Sequence, residues 1–166
     1  ALDKKLREET QFELMDLQMK LGMTFLIVTH DQEEAMTVAD RIAVMNNGVL
    51  VQVDPPAAIY EQPATKYVAD FIGDVNILPC KVQESHEGNL KLASPLTPHP
   101  LHVSHAGDPR PGDDVWLAIR PEKLRISLDP PAEGSVNCLS GEVWDIGYLG
   151  DLSVYHVELA CGTRIK

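Results

Sequence analysis

The chain has 166 residues, of which 44% are hydrophobic, enough for one ordinary domain or two small ones with packed cores. Acidic side chains outnumber basic ones by 25 to 14, so the formal net charge of −11 repels phosphate backbones and argues against nucleic acid as a partner. No apolar run reaches the roughly 20 residues of a membrane-spanning helix, so we expect a soluble protein. The three cysteines lack paired spacing, which favours reduced thiols over a disulfide framework.

The first elements alternate between helical and strand patterns. Residues 4–21 carry apolar side chains at helical spacing, and Gly22 is typical of the position after a helix C-terminus. The run Thr24 to Val28 is almost continuously apolar and ends in the polar residues Thr29 and His30. Such a run predicts a strand buried on both faces of a mostly parallel sheet.

The polar end of this run lies at a predicted junction between a strand and a helix. Asp31 can cap a helix over residues 32–40, and Glu34, three residues later, completes an acidic capping-box pattern. In parallel α/β sheets, ligands bind at the carboxyl edge, where strands give way to helices. His30 occupies that edge and is therefore a candidate functional residue.

A hairpin and two short helices are predicted next. The β-prone runs Arg41 to Met45 and Val49 to Val53 flank a turn at Asn47-Gly48. Pro55-Pro56 opens a helix that extends to Glu61, and Thr65 to Ile72 form a second helix that Gly73 ends. The character of the sequence changes near residue 75, which predicts two domains.

The remainder is strand-like and is predicted to form a small barrel of the oligonucleotide/oligosaccharide-binding (OB) type. The predicted strands are residues 76–83, 89–93, 115–120, 123–128, 137–147, 152–159 and 163 onward. The Pro- and His-rich residues 94–114 are expected to form an irregular surface loop. Within it, His99, His102 and His105 recur every third residue, but the intervening prolines favour a plain loop over a metal site. We therefore predict no metal-binding residues.

Four stretches resemble the ATP-hydrolysing subunits of ABC importers. Ala1 to Arg7 is similar to the D-loop and the helix after it, and Val28 to Met36 resembles the H-loop or switch region. Asp40 to Gly48 matches the hairpin that follows in that family. Leu117 to Glu122 is similar to the signature strand of the family's C-terminal regulatory (TOBE) domain, and Tyr148 to Gly150 to its later turn.

The resemblance implies a fold in two parts. Residues 1–75 would be the α/β C-terminal portion of a P-loop nucleotide-binding domain, and residues 76–166 an all-β OB-like TOBE domain. It assigns His30 a switch role, in which its imidazole contacts the γ-phosphate. It also implies that Asp3 reaches across a two-protomer interface, although an acidic residue before a helix is usually an ordinary N-cap, and the two roles are compatible.

The resemblance implies ATP and Mg²⁺ as ligands of the full-length parent and none in this chain alone. The sequence contains no phosphate-binding G-x-x-x-x-G-K-[ST] loop and no apolar strand that ends in Asp-Glu. The Leu139 to Glu142 stretch superficially resembles an ABC signature but lacks its second glycine and its helix. We therefore expect the isolated chain neither to bind nor to hydrolyse ATP.

The stretches Val68 to Asn76 and Tyr148 to His156 look most like those of polyamine importers, particularly putrescine ones, with sugar and iron importers as alternatives. The implied partners are a second ATPase copy, transmembrane permease subunits and, indirectly, a periplasmic polyamine-binding protein. The implied location is the cytoplasmic face of the inner membrane. The all-β part could instead act as a dimerisation module or as a sensor of a small ligand. If its last strand lies beyond Lys166, we expect dimerisation or strand exchange.

Overall fold

A computed structural model of the chain describes residues 4–104, 107, 109–129 and 137–166. The chain divides into two compact units, unit 1 at Ala1–Gly73 and unit 2 at Asp74–Lys166. Unit 1 begins with a long helix and continues with a short helix, a hairpin and two more short helices. These elements are α1 (Lys4–Leu21), α2 (Gln32–Val38), β1 (Ile42–Asn46), β2 (Val49–Asp54), α3 (Pro56–Glu61) and α4 (Lys66–Phe71). The predicted helices and hairpin of this unit are therefore confirmed, with α2 ending two residues earlier than predicted.

Unit 1 packs its hairpin against its short helices. The buried side chains of its core are Ile42, Val44, Ile59, Val68 and Ile72. The β1 residues Ile42 and Val44 alternate inward, as a strand with one covered face requires. The hairpin turns tightly because Asn47 and Gly48 both adopt positive φ, at 49° and 78°.

The prediction of a buried strand over Thr24 to His30 is wrong for this structure. Residues 23–29 form neither helix nor strand, and Leu26 and Val28 are each 93% exposed. A strand requires a neighbour whose backbone completes its hydrogen bonds. Within the described part of unit 1 the only sheet is the antiparallel β1-β2 pair, so the apolar run has no strand to join.

Unit 2 consists of two antiparallel sheets around one core, and its predicted all-β character is confirmed. The four-stranded sheet has the order β5-β4-β3-β6, and the three-stranded sheet the order β7-β8-β9. Their bounds are β3 (Asn76–His86), β4 (Asn89–Ser94), β5 (Thr97–Ser104), β6 (Asp114–Ile119), β7 (Gly141–Tyr148), β8 (Ser153–Leu159) and β9 (Arg164–Ile165). Leu78, Leu92 and Leu101 of the first sheet share the core with Leu159 and Ile165 of the second.

Two predictions for unit 2 are wrong. The expected loop at residues 94–114 contains strand β5, which pairs with β4 through contacts such as Leu101 with Leu92. Because β5 is an edge strand, it needs only half of its backbone donors, and Pro98 and Pro100 are compatible with it. The expected strand at residues 123–128 is a 3-10 turn at Pro121–Lys123 followed by irregular chain, which pairs with no described strand.

Asparagine side chains take the place of backbone pairing at two positions in unit 2. The Asn76 side chain donates to the Lys166 carbonyl and accepts from the Lys166 amide, both at 2.8 Å. The Asn137 side chain accepts from the His102 amide at 2.6 Å and donates to its carbonyl at 2.7 Å. The first pair joins the start of β3 to the end of β9, and the second completes the outer edge of β5.

Candidate functional site

Of the two candidate residues predicted from the sequence, Asp3 and His30, the structure describes only His30. Asp3 lies outside the described residues. His30 is described: it is exposed and stands between the apolar run and the start of α2. The candidate site described below is therefore centred on His30.

A hydrogen-bonded network fixes the backbone on both sides of His30. The Asp31 backbone is extended (φ −89°, ψ 111°), and its carboxylate accepts the Glu34 amide at 3.1 Å, so its predicted role as N-cap is confirmed. The Thr29 hydroxyl donates to the Glu34 carboxylate at 2.6 Å and accepts the Asp31 amide at 3.0 Å. The Thr29 hydroxyl therefore serves as both donor and acceptor, and its hydrogen bond with the Asp31 amide spans His30.

The arrangement directs the His30 side chain outward while its neighbours are held. Thr29, Asp31 and Glu34 are all partly buried, whereas His30 is exposed. A neutral imidazole carries one N–H donor and one acceptor nitrogen and can therefore contact a phosphate oxygen and a carboxylate at once. Chemically, the junction offers one imidazole on an ordered backbone.

The last residue of unit 1, Gly73, and the first residue of unit 2, Asp74, each make a contact within their own unit that local sequence patterns do not reveal. Gln32, the first residue of α2, accepts the Gly73 amide at 2.8 Å through Oε1. The buried Arg120, which is 6% exposed, donates from Nη1 to the Asp74 carbonyl at 3.1 Å. The family resemblance already drew attention to Arg120, Pro121 and Glu122. No sequence pattern marked Gln32, which is 41 residues from its partner Gly73.

Among the described residues, no group of three or more His, Cys, Asp or Glu side chains is arranged to hold a metal ion. His99 and His102 lie on β5, and His105 lies outside the described residues. No helix within the described ranges is both long enough and apolar enough to cross a membrane.

Comparison with known proteins finds one matching domain model and several similar proteins. A model of the TOBE domain matches residues 117–166, from β6 to β9. The putrescine transport ATP-binding protein PotG of Escherichia coli is 50% identical over 166 residues, which are 100% of this chain and 44% of that protein. The spermidine/putrescine import ATP-binding protein PotA of Nitrosospira multiformis is 44% identical, and that of Pseudomonas aeruginosa 42% identical, each over 100% of this chain and 46% of the relative.

The chain thus spans less than half the length of these curated relatives, and it aligns with their C-terminal region. The alignment covers both units, including the Thr29 to Glu34 junction and the Arg120 motif. The resemblance read from the sequence is therefore confirmed: the whole chain is similar to the C-terminal region of ATP-binding subunits of polyamine ABC importers, and residues 117–166 match the TOBE domain.

Proposed function

We propose that this chain is the C-terminal region of a subunit whose ATP hydrolysis drives polyamine import. The observation that carries the proposal is the 50% identity along the entire chain to a relative named as a putrescine transport ATP-binding protein. In this proposal, residues 1–75 complete a nucleotide-binding domain of the P-loop type and residues 76–166 form its regulatory domain. The complete active site requires segments that the relatives contain and this chain does not.

His30 acts as the switch residue of that active site. Hydrolysis of a phosphoanhydride depends mainly on positioning water and on stabilising charge on the γ-phosphate oxygens. The ordered backbone between Thr29 and Asp31 supports this role, because an imidazole on a fixed backbone loses little entropy when it engages a phosphate. Asp3 acts across the interface with a second ATPase copy.

Mg²⁺ and the triphosphate need ligands beyond those of the described residues. The sequence lacks the phosphate-binding loop, and the residues around His30 include no cluster of carboxylates suited to Mg²⁺. The groups present therefore do not fit a magnesium site, and its ligands would come from the remainder of the subunit. In this proposal the chain supplies the imidazole at the phosphates, and its described residues supply no cluster of metal ligands.

The exposed apolar run supports the same assignment. Leu26 and Val28 present apolar side chains to solvent directly before His30. In a complete nucleotide-binding domain, neighbouring parallel strands would cover both faces of this run, as its composition predicts. The junction would then lie at the carboxyl edge of the sheet, where nucleotides bind in such folds.

The partners and location follow from the same role. A second ATPase copy completes the nucleotide sites, transmembrane permease subunits receive the conformational change, and a periplasmic polyamine-binding protein delivers the substrate. The subunit would then work at the cytoplasmic face of the membrane.

A test uses the full-length subunit with its permease partners. His30→Ala should lower the ATP hydrolysis rate by about 100-fold or more, because a group acting on the transferred phosphoryl contributes on that scale. ATP affinity should stay within about threefold, since the phosphate-binding loop is untouched. His86→Ala, an exposed histidine of β3, is the matched control and should keep the full rate. Wild-type turnover in His30→Ala would refute the switch role. The substrate class is tested separately with the unmodified transporter, and uptake of a labelled sugar but not of putrescine would refute it.

A further inference from the structure

The peptide bond between Gly73 and Asp74 is held from both ends. On the unit 1 side, the Gly73 amide donates to Gln32 Oε1 at 2.8 Å. On the unit 2 side, the Asp74 carbonyl accepts from Arg120 at 3.1 Å, and its carboxylate accepts from Lys166 Nζ at 2.6 Å. Each unit therefore fixes the residue that it contributes to the connection.

The unit 1 contact uses a donor that is available because of how α4 ends. Ile72 is the C-cap of α4, and its amide returns to the Val68 carbonyl. Gly73 follows in the left-handed conformation, with φ of 67°. The amide of such a residue often returns to a carbonyl of the same helix. Here it donates to Gln32, the residue that begins α2 and stands two positions after His30.

The unit 2 contacts differ in strength. The Lys166–Asp74 pair is exposed, with side-chain exposures of 39% and 63%, so it contributes little stability. The Arg120 guanidinium is almost fully buried, and a hydrogen bond from a charged donor is stronger than one between neutral groups. Arg120 is therefore the main anchor of Asp74.

We propose that Gln32 is a positioning residue that couples the His30 junction to unit 2 through the Gly73–Asp74 connection. When Arg120 or Lys166 moves, Asp74 moves with it, and Gly73 follows because one peptide bond joins it to Asp74. The Gln32 side chain transmits that movement to the first turn of α2, where the Thr29, Asp31 and Glu34 network sets the backbone of His30. The regulatory consequence rests on the proposed function of His30, whereas the physical coupling does not.

The coupling can be measured by NMR on this 166-residue chain without nucleotide. The perturbing variants in unit 2 are Arg120→Lys, which shortens the buried anchor, and Lys166→Met, which removes the exposed one. Gln32→Met keeps the side-chain length but removes the acceptor, and Gln32→Glu keeps an acceptor as the matched control. The readouts are the His30 ring resonances and the exchange rate of the Gly73 amide.

We expect each unit 2 variant to shift the His30 resonances, with Arg120→Lys having the larger effect. In the Gln32→Met background these shifts should fall at least about threefold, and the Gly73 amide should exchange about fivefold faster, the change for one lost hydrogen bond of ordinary net strength. Gln32→Glu should restore both. Equal His30 shifts with and without the Gln32 acceptor would overturn the proposal, as would no shift in either unit 2 variant. If Arg120→Lys fails to fold, Lys166→Met decides the outcome by the same criteria.

The consequence for hydrolysis is tested in the full-length subunit. Gln32→Met should lower kcat about three- to tenfold with little change in the KM for ATP, and Gln32→Glu should recover most of the rate. If His30→Ala leaves hydrolysis intact, the proposed function fails while the NMR coupling still stands or falls by itself. If His30→Ala abolishes hydrolysis but Gln32→Met changes neither kcat nor the NMR shifts, only the coupling is refuted.

Discussion

Thr29 and Glu34 are joined by a hydrogen bond of 2.6 Å from the threonine hydroxyl to the carboxylate, across the first turn of α2. The same hydroxyl accepts the Asp31 amide at 3.0 Å. The residue next to the candidate switch histidine is thereby tied to the helix that follows it. The Thr29 hydroxyl oxygen thus takes part in two of the three hydrogen bonds that hold this junction.

Removing that oxygen should loosen the junction. Thr29→Val keeps the shape of the side chain but leaves the Asp31 amide and the Glu34 carboxylate without this partner. We expect a loss of about 1–2 kcal/mol in the local stability of α2, measured by amide hydrogen exchange of residues 34–38. Thr29→Ser should stay within about 0.5 kcal/mol of the wild type. Equal exchange in the valine and serine variants would show that the hydroxyl does not hold the helix.

The apolar run before His30 gives a prediction with opposite outcomes in two contexts. In this chain Leu26→Ser should change the free energy of unfolding by less than about 0.5 kcal/mol, because Leu26 is 93% exposed. In the full-length subunit the proposed function places Leu26 inside a sheet, so the same change should cost about 2–4 kcal/mol. Urea unfolding of both proteins makes the comparison. A neutral effect in the full-length subunit would contradict burial of the run.

The bridge between the two sheets of unit 2 can be tested at Asn76. Asn76→Ala removes both hydrogen bonds to the Lys166 backbone from a site that is 6% exposed. The expected loss is about 2–3 kcal/mol in the free energy of unfolding, measured by urea titration. The control is Asn89→Ala at an exposed asparagine, which should cost under about 0.5 kcal/mol. Similar losses of unfolding free energy in both variants would mean that the Asn76 hydrogen bonds to Lys166 do not stabilise unit 2.

The cysteines should differ sharply in reactivity. Hydrogen bonds from Thr163 lower the pKa of the exposed Cys161 thiol, whereas burial raises the pKa of Cys80. A lowered thiol pKa means more thiolate at neutral pH, so iodoacetamide should label Cys161 first and Cys80 only on unfolding. Thr163→Val should raise the pKa of Cys161 and move its labelling profile to higher pH. Labelling of Cys80 at the rate of Cys161 in the native chain would contradict this assignment.

Local patterns predicted most helices and strands correctly, because their signals lie within a few residues. Asn47-Gly48 determines a tight turn, and Thr65 and Gly73 mark the limits of α4 through a cap and a left-handed residue. The Asp31 cap before α2 could be predicted for the same reason. The candidate histidine was found through its position at that junction and through the family resemblance.

The failures share a dependence on distant partners. The run Thr24 to Val28 has the composition of a buried strand, but composition cannot supply a neighbouring strand. The prolines of β5 suggested a loop because the sequence does not show that the strand lies at a sheet edge. The prediction for residues 123–128 failed in the opposite way: a strand was expected from their β-prone side chains, but they pair with no strand among the described residues. The Gln32 and Arg120 contacts connect residues 41 and 46 positions apart, beyond the range of any local pattern.

The joining of Asn76 to Lys166 also has a consequence for synthesis of the chain. The two residues are separated by 90 positions, and Ile165 beside Lys166 is part of the same core as Leu78. During translation, β3 leaves the ribosome first and must wait for β9 before this core can close. At ordinary elongation rates of about 5–20 residues per second, that interval lasts roughly 5–20 seconds, during which the apolar face of the nascent sheet is a natural target for a chaperone.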